Sequence, residues 1–208
     1  MATDLFVISN IKLSKEEVLE QKEEILQKLK NLNYNNFLYP QMNQETKEEE
    51  WVMREGDWEY TMPTYWDEKT KSYLPGTDCR QVIYFSGAKT YRISVYENCL
   101  VLDSIARYNS LYYLNHFHEP EDIYNFRKEI HLLIEIFGGS EIIFLADNCC
   151  DKISDYLVKA LQGNSYESIK NEMLADGTPI ERDYLKLEIE RFNYSNIVEY
   201  VMDDLEGL

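Results

Sequence analysis

His116 and His118 flank Phe117, so on a β-strand both imidazoles would project to one side. Glu119 and Glu121 follow closely, and His131 comes next along the chain. Two imidazoles and a carboxylate form a donor set suited to zinc or iron, and the reaction it would serve is metal-assisted hydrolysis. A two-histidine pattern is short, however, and the reading favoured over a metal site is that these residues end a strand at the surface. No metal ligand and no cofactor is assigned from it.

Other catalytic chemistry is opposed by its own surroundings. Cys149 and Cys150 would stand near a helix N-terminus, where the macrodipole favours a thiolate. Asp147 and Asp151 flank the pair and oppose that shift. The four cysteines (Cys79, Cys99, Cys149 and Cys150) contain no CxxC spacing and read as reduced thiols. Asp147 closes an apolar run, a place for a catalytic acid but also the ordinary N-cap position. Neither a GxGxxG nor a GxxxxGK[ST] cradle occurs, and there is no GxSxG elbow. Gly138-Gly139 follows a helical pattern and reads as its C-terminal stop. No catalytic residue is therefore nominated.

A different chemistry is concentrated in residues 50–68. All three tryptophans, Trp51, Trp58 and Trp66, lie there with Tyr65, interleaved with Glu50, Glu55, Asp57, Glu59, Asp67 and Glu68. Trp and Tyr bury much area at low entropic cost and are enriched at protein interfaces. Mixed with carboxylates, they would suit a basic protein surface; the competing reading is that the rings cap one end of a sheet core. The C-terminal Glu199, Asp203, Asp204 and Glu206 extend the expected partner-binding set.

The charge points the same way. The chain has 208 residues, with 21 Lys and Arg against 38 Asp and Glu, a formal net charge of −17. Residues 111–208 alone hold 8 basic and 20 acidic side chains. Such a field disfavours direct binding to nucleic acid or an anionic membrane, and it steers fast association with a cationic protein. No basic, apolar leader is visible at the N-terminus and no apolar run is long enough for a membrane span, so a cytoplasmic location is expected. In size, charge and lack of catalytic motifs the chain resembles bacterial immunity proteins, although no family motif is matched to particular residues. That resemblance implies an acidic binding protein that neutralises a basic toxin by occluding its active site. A phage-encoded inhibitor mimicking nucleic acid, or a metal-dependent hydrolase using His116 and His118, are the alternatives.

The elements that must position these residues read as α+β, an antiparallel β-meander packed with several amphipathic helices. A chain of this length buries roughly 70% of its unfolded surface, enough for one core without staples. One domain over residues 1–208 is expected, with a weak seam near 118–120. Leu5 to Ile11 suits a buried strand. Ser14-Lys15-Glu16-Glu17 forms a capping box, and Val18, Ile25, Leu26, Leu29 and Leu32 continue at helical spacing to residue 32. Trp51–Met53 and Trp58–Met62 are expected to form a hairpin turning at Glu55-Gly56-Asp57. Residues 81–85, 91–96 and 100–106 read as the meander, with 111–117 as a fourth strand. Helices are expected from Pro120 to Phe137, through Ile153 to Leu161, and over 166–175. Leu185, Leu187 and Ile189 alternate as a strand, and Ser195 is expected to cap a last helix, Ile197 to Leu205.

Overall fold

Strand β1 (Asp4–Ser9) sends Val7 to one face of a sheet and Ile8 to the other, and both are fully buried. Burial on both faces explains why its sequence is an apolar run with no polar alternation. The computed structural model describes residues 4–61, 64–67, 69–75, 81–88, 91–104, 120–147, 151–179 and 199–203.

Among these residues β1 belongs to an eight-stranded sheet with strands β4 (Asp57–Thr61), β7 (Val82–Ala88), β8 (Tyr91–Val95), β9 (Leu100–Ser104), β10 (Ile142–Asp147), β11 (Thr178–Pro179) and β12 (Glu199–Asp203). Their spatial order is β11-β12-β10-β1-β9-β8-β7-β4. Every neighbouring pair is antiparallel except β11 with β12. The expected meander is β7-β8-β9, in which Phe85 faces Ile93 and Ile93 faces Leu102. With five helices among the described residues, the fold is α+β.

The helices cover both faces. Helices α1 (Lys15–Glu20), α2 (Lys22–Asn31) and α3 (Pro120–Glu135) contribute Val18, Ile25, Leu29, Phe126, Ile130 and Ile134 to a core with Val7, Phe85, Ile93, Leu102 and Phe144. Helices α4 (Asp151–Leu161) and α5 (Tyr166–Asp176) place Tyr156, Ala160, Tyr166, Ile169 and Met173 against Ile8, Val101, Ile143 and Leu145. The capping box at Ser14 forms in full: its side chain accepts from the Glu17 amide, and the Glu17 carboxylate accepts from the Ser14 amide at 2.8 Å. The expected single helix of residues 15–32 is divided at Gln21, where ψ relaxes to 7°. Gly138, at φ 75°, turns the chain out of α3, and Gly139 lies so close to Asn10 that a Cβ there would meet its carbonyl oxygen at 2.6 Å. The Asn10 side-chain carbonyl then accepts from the Ser140 and Glu141 amides at 2.7 and 3.0 Å, fastening the turn to the end of β1.

Two expectations are corrected. Strand β3 (Glu49–Glu55) pairs with β2 (Asn36–Met42), not with β4, and β4 pairs with β7. The reason lies at Gly56, where a Cβ would stand 2.5 Å from the Phe85 ring and 2.8 Å from the Ser86 carbonyl oxygen. A residue without a side chain lets the chain cross tightly onto β7 there, so it does not turn back on β3. Residues 199–203 form β12, not part of a terminal helix: pairing with β10 buries Val201 and Asp203 on one face and Tyr200 on the other. Strands β5 (Thr64–Asp67) and β6 (Ser72–Pro75) form a second small hairpin. The expected strands at 111–117 and 185–189 lie outside the described residues, as do His116, His118, Cys149 and Cys150.

Candidate functional site

The β2-β3 hairpin is an arm beside the main sheet, paired in register for seven residues from Asn36↔Glu55 to Met42↔Glu49. At about 3.3 Å per residue it extends roughly 20 Å. Its tip is tied by the chain itself. The Asn43 side-chain carbonyl accepts from the Glu45 and Thr46 amides at 2.9 and 3.1 Å, while Lys47 donates its amide to the Asn43 carbonyl at 3.0 Å. Lys47 adopts a left-handed conformation, φ 61°, to close the turn. At the root, the Gly56 amide donates to the carbonyl of buried Asn35 at 2.7 Å.

Side chains alternate along β3, so Glu49, Trp51, Met53 and Glu55 share one face. Trp51 and Met53 are 63% and 65% exposed, and Met42, opposite Glu49, is 51% exposed. Pro40 and Leu38 stand opposite Trp51 and Met53 in register. Met42, Trp51 and Met53 thus make an exposed apolar stripe, and Glu49 and Glu55 bracket its β3 residues. Glu50, Val52 and Arg54 occupy the other face, where Glu50 accepts from the Asn43 side chain and Arg54 donates to Gln41 at 2.9 Å. Around the tip, Glu45 and Glu48 are also exposed.

The arm unites three of the expected partner-binding residues, Glu50, Trp51 and Glu55. Asp57 and Glu59 are exposed on β4, the outer strand of the sheet, next to exposed Tyr60. Trp58 is different: it is half-buried, tilted against Phe85 with ring centroids 4.9 Å apart, and its Nε1 is buried without a hydrogen-bond partner. This tryptophan caps the sheet core. Tyr65, Trp66 and Asp67 lie on β5, and Glu199 opens β12. The side chains of these four, with Glu68, Asp204 and Glu206, lie outside the described residues.

Asp203 does not belong to an exposed acidic surface. Its side chain is 0% exposed and accepts from Arg127 in a two-pronged pair, Nε to Oδ2 at 2.5 Å and Nη2 to Oδ1 at 2.9 Å. His131 Nε2 stands 3.5 Å from Oδ2, long for a hydrogen bond but close enough for charge to be felt. Burial by itself would raise this carboxyl's pKa; the Arg127 hydrogen bonds, aided by His131, outweigh burial and hold it well below the usual carboxylate range. Arg127 and His131 are one helical turn apart on α3, beside the core positions Phe126 and Ile130. That i,i+4 pairing at the margin of an apolar stripe was the available sign of an inward-facing polar pair. Elsewhere, burial pushes the Cys99 thiol up to about 12, which makes it an inert core residue.

Among the described residues no three His, Cys, Asp or Glu side chains gather as a metal site. Nor is any helix among them long and apolar enough to cross a membrane. Compared with protein-family models, with curated proteins and with solved structures, the chain matches none.

Proposed function

We propose that the chain is an acidic cytoplasmic protein that binds and neutralises a basic protein partner, in the manner of a bacterial immunity protein occluding a toxin's active site. The observation that carries this reading is the gathering of exposed carboxylates, Glu45, Glu48, Glu49, Glu50 and Glu55 on the arm with Asp57 and Glu59 on β4, in a molecule of net charge −17. Such a field attracts a cationic surface over a Debye length, about 8 Å at physiological salt and about 30 Å at 0.01 M. Nuclease-like effectors present cationic substrate clefts of that kind.

The test is retention from native-host lysate on the immobilised full-length chain at low salt, followed by association kinetics with the purified partner. One basic protein, held stoichiometrically, is expected. Its on-rate should fall by about tenfold or more between 0.01 M and 0.15 M salt. Retention of only neutral or acidic proteins, or an on-rate indifferent to salt, would refute the reading.

A further inference from the structure

We infer that the β2-β3 arm is the docking element, and that its occupant is a cleft on the basic partner with an apolar floor and a cationic rim. This rests on the proposed function and adds to it the residues that hold the complex together. Three observations converge on the arm.

The first is exposure. Met42, Trp51 and Met53 are among the most exposed large apolar side chains described, and all three lie on one face of one hairpin. Scattered apolar side chains are ordinary on a surface; a row of them rimmed by charge marks a contact. The second is charge. Glu49 and Glu55 bracket Trp51 and Met53 along β3, and Glu45, Glu48 and Glu50 surround the tip, against only Lys47 and Arg54 over residues 36–55. Two copies of the chain meeting through this face would bring those carboxylates together, which disfavours a homodimer. Cationic groups around an apolar floor satisfy both the stripe and its rim. The third is preorganisation: the tied tip and the Gly56–Asn35 bond at the root hold the arm before binding, so less ordering entropy opposes association.

The division of labour is testable because charge and apolar anchors act on different rates. Rim carboxylates should govern the on-rate, and the buried anchors should govern the off-rate. The probe is the basic protein retained by the full-length chain. Full-length chains carrying Trp51→Ala with Met53→Ala, or Glu49→Gln with Glu55→Gln, are compared with the unaltered protein. A Val158→Ala, Leu174→Ala control removes exposed apolar groups, 44% and 43% accessible, from α4 and α5. The anchor variant should raise the off-rate about 30-fold or more at unchanged thermal midpoint, the scale of losing a hot-spot residue. The rim variant should mainly slow association, and the control should do neither. A photoreactive p-benzoylphenylalanine in place of Trp51 should cross-link to the partner, while one in place of Val158 should not.

An unchanged off-rate in the anchor variant, or cross-linking from position 158 and not from 51, overturns the arm while leaving the proposed function standing. Cross-linking of position 51 to a second copy of the chain overturns it in favour of self-association. If no basic protein is retained, both the arm and the function fall.

Discussion

Asp203 has given up its hydration to sit between β12 and α3, and the two-pronged pair with Arg127, with His131 close by, makes that tolerable. Removing the charge while leaving the guanidinium should be costly, because a cation would then be stranded at the edge of the core. Asp203→Asn is expected to lower unfolding free energy by about 3 kcal/mol at neutral pH, read by denaturant titration. The pH dependence has a definite sign. A carboxyl whose folded pKa lies below its unfolded value, about 3.9, stabilises the fold above that pH and loses the contribution as pH falls below about 4. The gap between the unaltered protein and Asp203→Asn should therefore be widest near neutrality and narrow on acidification. A gap that stays constant down to pH 3 would show that the pair does not set this carboxyl's protonation. The i,i+4 spacing of Arg127 and His131 marks the helix side of this contact in the sequence, but nothing there marks Asp203 as its partner. Asp203 lies among several C-terminal acids, and only the path of the chain decides which of them turns inward.

At the scale of elements, legibility depended on whether a signal was local. The capping box at Ser14 needs only four residues, and it formed with both of its hydrogen bonds. Ser14→Ala should cost about 1 kcal/mol, seen as a lower denaturant midpoint at unchanged slope. Meander strands and the helix ended by Gly138-Gly139 were likewise evident, since periodicity and breakers lie within the elements themselves. Strand β12 looks helical in the sequence because Ile197 and Val201 fall at i,i+4 after a serine, whereas the β10 edge that captures residues 199–203 is far away along the chain. The pairing of the arm is hidden from the sequence for a similar reason. Trp51 and Trp58 look like two sides of one turn until the close approach of Gly56 to Phe85 is known. Composition marks Glu50, Trp51 and Glu55 of the arm, whereas the exposed Met42 and Met53 join the face of Trp51 only once the β2-β3 register is known.

For the whole molecule, a charge of −17 on 208 residues is a repulsive load that the folded state confines more tightly than the unfolded chain. Screening should relieve it. The thermal midpoint is expected to rise as salt increases from 0.01 M to 0.15 M, opposite in sense to the slowing of partner association over the same range. A falling midpoint would mean that local pairs such as Lys159–Glu172 and Lys170–Glu141 outweigh the general repulsion. The placement of β1 has a further consequence. It lies between β9 and β10, joining Val7 to Leu102 on one side and to Phe144 on the other, so the sheet's two halves meet across it. A ribosome adding about 5–20 residues per second delivers β10 on the order of ten seconds after β1. Throughout that interval the nascent chain carries a strand that is apolar on both faces and has no second neighbour, and its need for shelter ends only when β10 arrives.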